Sequence, residues 1–281
     1  MNRSFFVTAA WLAEHLSDDA VQVIDARLLP PGQEKLRDIQ AEYLAKHLPD
    51  APFFNIEALS DPLSPYPHMM PRAESFAVAM RELGISSDKH LVVYDEGNLF
   101  SAPRAWWMLQ QAGVGQVSIL AGGLQKWEQA GLPLQSGEVH LPEAEFEAAF
   151  DDDAVVRLTD VLLVSHEQSA QIIDARAGNR FRGEVDEPRP GLLRGRIPGS
   201  LNVPWNDLVE NGELKPATAL KAIFQQQGVS LTQPVVASCG SGVTAVVVIL
   251  ALNSLGVENV RLYDGSWGEW GSRNDLPVTL G

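Results

Sequence analysis

The chain has 281 residues, 45% of them hydrophobic, with 21 lysines and arginines against 36 aspartates and glutamates, a formal net charge of −15. That length suits two ordinary domains, each with a sizeable core. The negative charge opposes binding to nucleic acid or an anionic membrane, both polyanions, but leaves room for a small anion held by a local arginine pair.

A single cysteine excludes an intramolecular disulfide and suits a reducing cytoplasm. Met1–Val7 lacks a long apolar stretch, so no signal peptide is expected, and no apolar run approaches the roughly 20 residues of a membrane span.

In chain order, Thr8–Leu16 reads as a capped amphipathic helix with His15 on its surface. Val21–Arg27 reads as a strand ending in Ile24-Asp25-Ala26-Arg27. The same words return as Ile173-Asp174-Ala175-Arg176, an offset of 149 (25 to 174). His47-Leu48-Pro49 is answered by Arg196-Ile197-Pro198 at the same offset, and Val117–Trp127 by Val260–Trp270 at an offset of 143. Three matched segments in one order indicate a tandem duplication. Each copy alternates strands with helical patterns. That predicts an α/β protein of two tandem domains, each a mainly parallel sheet with helices on both faces. The expected division is a first domain over 1–140, an acidic linker over 141–156 and a second domain over 157–281. Ala105–Leu109 reads as core packing.

Cys239 stands between the apolar segment Val235–Ala237, which reads as a buried strand, and Val243–Leu255, which reads as a buried helix stopped by Gly256. Gly240 and Gly242 permit a tight loop with φ > 0, which turns backbone N–H groups toward the sulfur. The helix N-terminus adds partial positive charge, and both effects favour thiolate, the nucleophilic form. A lone cysteine is commonly a small buried hydrophobe, but this one sits at a Gly-Ser-Gly loop rather than inside the apolar run. In the first copy Asp95 occupies the position of Cys239, and an aspartate cannot carry a transferable sulfur. The first domain is therefore expected to be catalytically inactive.

Arg180, Arg182 and Arg189 lie on a proline-interrupted loop after the strand ending at Asp174. Read alone, this is either a solvated charged loop or a clamp for an oxyanion. In a parallel sheet the C-terminal strand ends share one edge, where ligands bind, and this places the arginines beside the Cys239 loop. His68, in the turn-rich Ser64–Pro71, is either a surface histidine or a proton carrier beside Cys239, with Glu57 as a possible orienting residue. No cluster has metal-ligand spacing, and no Walker, Rossmann or nucleophile-elbow motif is present.

The duplicated Ile-Asp-Ala-Arg, the paired His/Arg-Leu/Ile-Pro words and Tyr263–Trp270 resemble tandem-domain rhodaneses over nearly the whole chain. Cys239-Gly240-Ser241-Gly242-Val243-Thr244 is similar to the loop of the family's 3-mercaptopyruvate sulfurtransferases. Thiosulfate sulfurtransferases typically carry Cys-Arg-Lys-Gly-Val-Thr, two cations facing a dianion. The resemblance implies an active site in the second domain, at the domain interface, with Cys239 as sulfur carrier. It implies Arg180 and Arg189 on the substrate carboxylate and ketone, and Gly240, Gly242, Val243 and Thr244 as substrate-binding loop. Ser241, His68 and Glu57 match the family's helpers. The implied reaction moves sulfur from 3-mercaptopyruvate through a Cys239 persulfide to a thiol, thioredoxin or cyanide, releasing pyruvate. It implies no metal or organic cofactor, no nucleic-acid or membrane partner, and by default a monomer. A thiosulfate sulfurtransferase and a non-enzymatic persulfide relay stay open. A cysteine-dependent phosphatase needs arginine six positions after the cysteine, where Ala245 stands.

Overall fold

The computed structural model describes residues 5–281. The absence of a signal peptide, read from Met1–Val7, falls partly on residues 1–4, which lie outside the described residues. The chain forms two compact units. The first takes the chain up to Pro62, with Met70–Asp151 and Asn211–Glu213. The second takes Leu63–Met69, Asp152–Glu210 and Leu214–Gly281.

The first unit is built on a four-stranded parallel sheet in the order Phe6–Val7, Val117–Leu120, His90–Tyr94, Val21–Asp25. The second has five parallel strands, Val155–Val156, Val260–Tyr263, Val235–Ser238, Gln171–Asp174 and Leu201–Asn202. The first four follow the same order in both units. The fifth strand pairs Asp174 with Asn202, and in the first unit an isolated parallel bridge joins Asp25 to Phe53, the same residues shifted by 149. The antiparallel bridges His47–Gln135 and Arg196–Thr279 also correspond.

The repeated Asp-Ala-Arg closes each second strand in the same way. Asp25 accepts the Arg27 amide and its guanidinium, and Arg27 Nη2 donates to Lys46 O. Asp174 and Arg176 repeat this, with Gly195 O as the third partner. All four charged groups are buried, so each pairs bidentately and also meets backbone, as desolvated charges must.

The two expected helices form with trimmed ends. Thr8 caps Ala9–His15 through its side chain, and the helix after the cysteine runs Ala245–Ser254. Ala245 to Leu252 are all buried. Val246-Val247-Val248-Ile249 is a β-branched run with poor helix propensity. Full burial of such side chains contributes about 1.5–3 kcal/mol each and overrides propensity. Ala105–Leu109 lies in the buried part of the helix Ala102–Gln111.

The stretch 141–156 differs from a solvated tether. Phe146 is buried against Phe76, with ring centroids 6.0 Å apart, and Arg81 donates to Phe146 O. Val155–Val156 forms the edge strand of the second sheet. Acidic composition signalled solvent, but one aromatic residue and one β-branched pair suffice to anchor both ends. Among the described residues no helix is long and apolar enough to cross a membrane.

Candidate active site

Cys239 follows the buried strand Val235–Ser238, is itself 2% exposed, and precedes the helix Ala245–Ser254 by a five-residue loop. Helix Ser266–Trp270, on the end of the neighbouring strand, holds that loop. Ser266 Oγ accepts from the amides of Cys239 (3.0 Å) and Gly242 (3.2 Å) and donates to Tyr263 O (2.8 Å). Trp267 N donates to Cys239 O and Gly268 N to Gly240 O. An ideal Cβ on Gly268 would stand 3.0 Å from Gly240 O and 3.5 Å from Pro67, so the approach leaves little room for a side chain.

These contacts sharpen the sequence expectation. Two loop amides, those of Cys239 and Gly242, point to Ser266 rather than to an occupant of the loop. Among the described residues, no acceptor is paired with the amides of Ser241, Val243 and Thr244. The first unit shows what such amides take. Asp95, at the Cys239 position, is buried, and its carboxylate accepts from the amides of Gly97 (2.8 Å), Ser101 (3.1 Å) and Ala102 (3.0 Å). Counted from the strand end, Gly97 corresponds to Ser241. Counted back from the helix start, Ser101 corresponds to Thr244. The first copy's cradle is thus filled by its own anion. Burial pushes the Asp95 carboxyl up while the backbone donors pull it down, and burial dominates.

Gly242 adopts φ +74°, as a tight loop requires. Gly240 does not, contrary to expectation; its reason is space. A Cβ there would meet Arg180 Nη2 at 3.2 Å and Arg189 Nη1 at 4.0 Å. The structure therefore brings both predicted arginines to the residue after Cys239. The third, Arg182, instead pairs with Glu184 on the surface.

His68 is 6% exposed, and its Nδ1 lies 2.9 Å from Ser241 Oγ. Its segment Leu63–Met69 packs with the second unit, although it precedes helix Ala73–Glu82 of the first. Domain limits therefore cross the expected boundaries, because this loop makes its contacts with Ser241 and Gly268. His68 (φ +60°) and Ser266 (φ +51°) hold left-handed conformations unusual for non-glycine residues, and such strain concentrates at functional sites. Glu57 lies in the first unit on an exposed turn, its amide donating to Asn55. Thr244 is buried just before the helix start, and Val243 is buried beside it.

The rhodanese-like domain pattern matches residues 8–130 and 158–273. The chain belongs to the rhodanese family. Its two copies of that domain are the duplication read in the sequence. Among curated relatives, a 3-mercaptopyruvate sulfurtransferase of Escherichia coli (strain K12) is 64% identical over 278 residues, covering 99% of each chain. One of Mus musculus is 42% identical over 272 residues, 94% of this chain and 91% of the relative. The crystal structure of the Escherichia coli 3-mercaptopyruvate sulfotransferase SseA superposes with a TM-score of 0.88 at 62% identity, covering 94% of this rhodanese and 99% of that chain.

Two residues escaped the sequence reading. Ser266 lies within the Tyr-Asp-Gly-Ser-Trp word, and a small polar residue opening a helix beside the cysteine strand was the available signal. Glu187 is the second. It is an acid placed between arginines, and its side chain is 1% exposed.

Proposed function

We propose that this rhodanese transfers sulfur from 3-mercaptopyruvate to a thiophilic acceptor through a persulfide on Cys239. The observation that carries the reading is the meeting of Arg180 and Arg189 at Gly240, one residue from the only cysteine. Two guanidinium groups suit a carboxylate and an adjacent ketone, the groups a 2-keto acid offers. The substrate sulfur is then directed at the Cys239 sulfur.

The Cys239 thiolate attacks that sulfur, and the substrate carbon–sulfur bond breaks. Its electron pair leaves on carbon as the enolate of pyruvate, which the arginines stabilise as charge develops. Ser241, linked to His68, supplies or relays the proton that converts enolate to pyruvate. Cys239 keeps the sulfur as a persulfide, and the amides of Ser241, Val243 and Thr244 stabilise its terminal sulfur. A thiol, a thioredoxin-type dithiol or cyanide removes that sulfur in a second half-reaction, giving a ping-pong cycle. A cytoplasmic location and a monomeric state belong to the same reading.

Intact mass after incubation with 3-mercaptopyruvate, beside a thiosulfate control, tests it. A gain of about 32 Da with release of pyruvate, absent in Cys239→Ser, is the expected result. A larger gain from thiosulfate favours a thiosulfate sulfurtransferase. Loading from a partner persulfide protein alone favours a relay.

A further inference from the structure

We infer that Glu187 is a positioning and specificity-determining residue, which through Arg180 tunes the site toward monoanionic sulfur donors and against dianionic ones. The inference rests on the function proposed above.

Glu187 is 8% exposed and joins two arginines. Its Oε2 accepts from Arg180 Nη2 (2.5 Å) and Nε (3.2 Å), and its Oε1 accepts from Arg176 Nη1 (2.8 Å). Arg176 is tied bidentately to Asp174 at the strand end and stacks on Trp267, 4.4 Å from the ring centroid. Trp267 in turn donates its amide to Cys239 O. A continuous chain of contacts therefore fixes the Arg180 guanidinium relative to the Cys239 loop. The Nε–Nη2 edge of Arg180 is committed to Glu187, so the guanidinium plane is held from behind while Nη2 stays beside Gly240.

The same chain fixes the charge. Glu187 offsets Arg180 as Asp174 offsets Arg176, so these four groups together carry no net charge. With Arg180 so offset, the second negative charge of thiosulfate gains little there beyond what a single carboxylate gains. The loop adds no cation of its own, since Gly240 and Ser241 stand next to the cysteine. With so little solvent at Glu187, its charge is weakly screened and acts at full strength on an anion beside Arg180.

The test compares kcat/KM for 3-mercaptopyruvate and thiosulfate in the full chain and in two variants. Glu187→Gln removes the charge and leaves those four groups with a net of +1. The ratio of thiosulfate to 3-mercaptopyruvate kcat/KM is expected to rise about tenfold. Glu187→Asp keeps the charge but shortens the reach to Arg180. It is expected to raise KM for both donors and to leave their ratio within about twofold of wild type. A Glu187→Gln enzyme that loses both donors in equal proportion, or an Asp variant that moves the ratio as far as Gln does, overturns the inference. A measurement on the wild type stands apart from folding of the variants. Pyruvate is expected to protect Cys239 from alkylation at lower concentration than sulfate does, and equal protection by the dianion overturns the inference too. Failure of the wild type to take sulfur from either donor sinks the proposed function itself, whereas loading with an unmoved donor ratio sinks only the role of Glu187.

Discussion

Ser266 and Gly240 show how single residues shape this loop by opposite means, one by a bond and one by the lack of an atom. Ser266 supplies one buried oxygen to two amides, and its φ of +51° makes glycine the replacement that keeps the backbone unstrained. Ser266→Gly leaves both amides without that acceptor, at about 1–3 kcal/mol for buried groups so abandoned. Thermal unfolding should show that loss, and persulfide formation should slow by roughly tenfold or more as the loop loosens. Ser266→Ala should be worse in stability, since the methyl group cannot relieve the left-handed backbone. Equal Tm for the glycine variant and wild type would show that the hydroxyl does not hold the loop. Gly240→Ala acts on substrate instead. Its Cβ, 3.2 Å from Arg180 Nη2, must push the guanidinium aside. A rise in KM for 3-mercaptopyruvate of about tenfold is expected, with a stability loss on the order of 1 kcal/mol, because the guanidinium the methyl displaces is held by Glu187.

At the scale of the element, the strand–loop–helix unit is used twice with different occupants, and the first copy reports on the second. Asp95 accepts from three amides of its own loop. Asp95→Gly should empty that cradle and destabilise the first unit by about 2–3 kcal/mol, as charge-assisted bonds to backbone are lost. Sulfate added to this variant should restore part of the Tm, and should have a smaller effect on wild type. No differential rescue would mean that the loop does not hold a free anion. This element also shows what was readable from residues alone. Three matched segments in one order marked the duplication, and the alternation of strand and helix patterns marked the parallel sheets. The cysteine and its loop were legible because residue type and spacing carry their chemistry, whereas three arginines stood on the neighbouring loop and the resemblance to the family singled out Arg180 and Arg189. Ser266 and Glu187 were not, since both act by hydrogen bonds to groups 27 and 11 positions away that no periodicity announces. The reason for Gly240 was likewise hidden, as steric room beside a distant arginine leaves no local trace. Phe146 was misread for a related cause, a single buried aromatic residue within an acidic stretch.

Over the whole molecule, 36 acidic side chains against 21 basic ones make acid an obvious stress, and one group that acts on descending from neutral pH is a histidine in the first unit. His90 opens the central strand His90–Tyr94, and its Nε2 lies 2.9 Å from Ser118 Oγ on the adjacent strand. Trp11 lies between His90 and His15, with ring centroids 5.3 Å and 4.2 Å away. Burial, then the neighbouring His15, holds His90 below its ordinary value. The folded state therefore prefers neutral imidazole, while the unfolded chain takes up its proton near pH 6.5. Below that pH the unfolded state binds more protons than the folded state. Stability must fall as pH drops from about 6.5 through the lowered folded value, and the slope vanishes once both states are protonated. Well above pH 6.5, where both states are neutral, the group contributes no pH dependence. His90→Gln keeps a polar partner for Ser118 and removes the titration. Its unfolding free energy, followed by urea titration between pH 7.5 and 5, should lose less over that range than wild type does. Parallel curves for the two proteins would exclude His90 as the source of the acid sensitivity, and a steeper loss in the variant would reverse the sign argued from its burial.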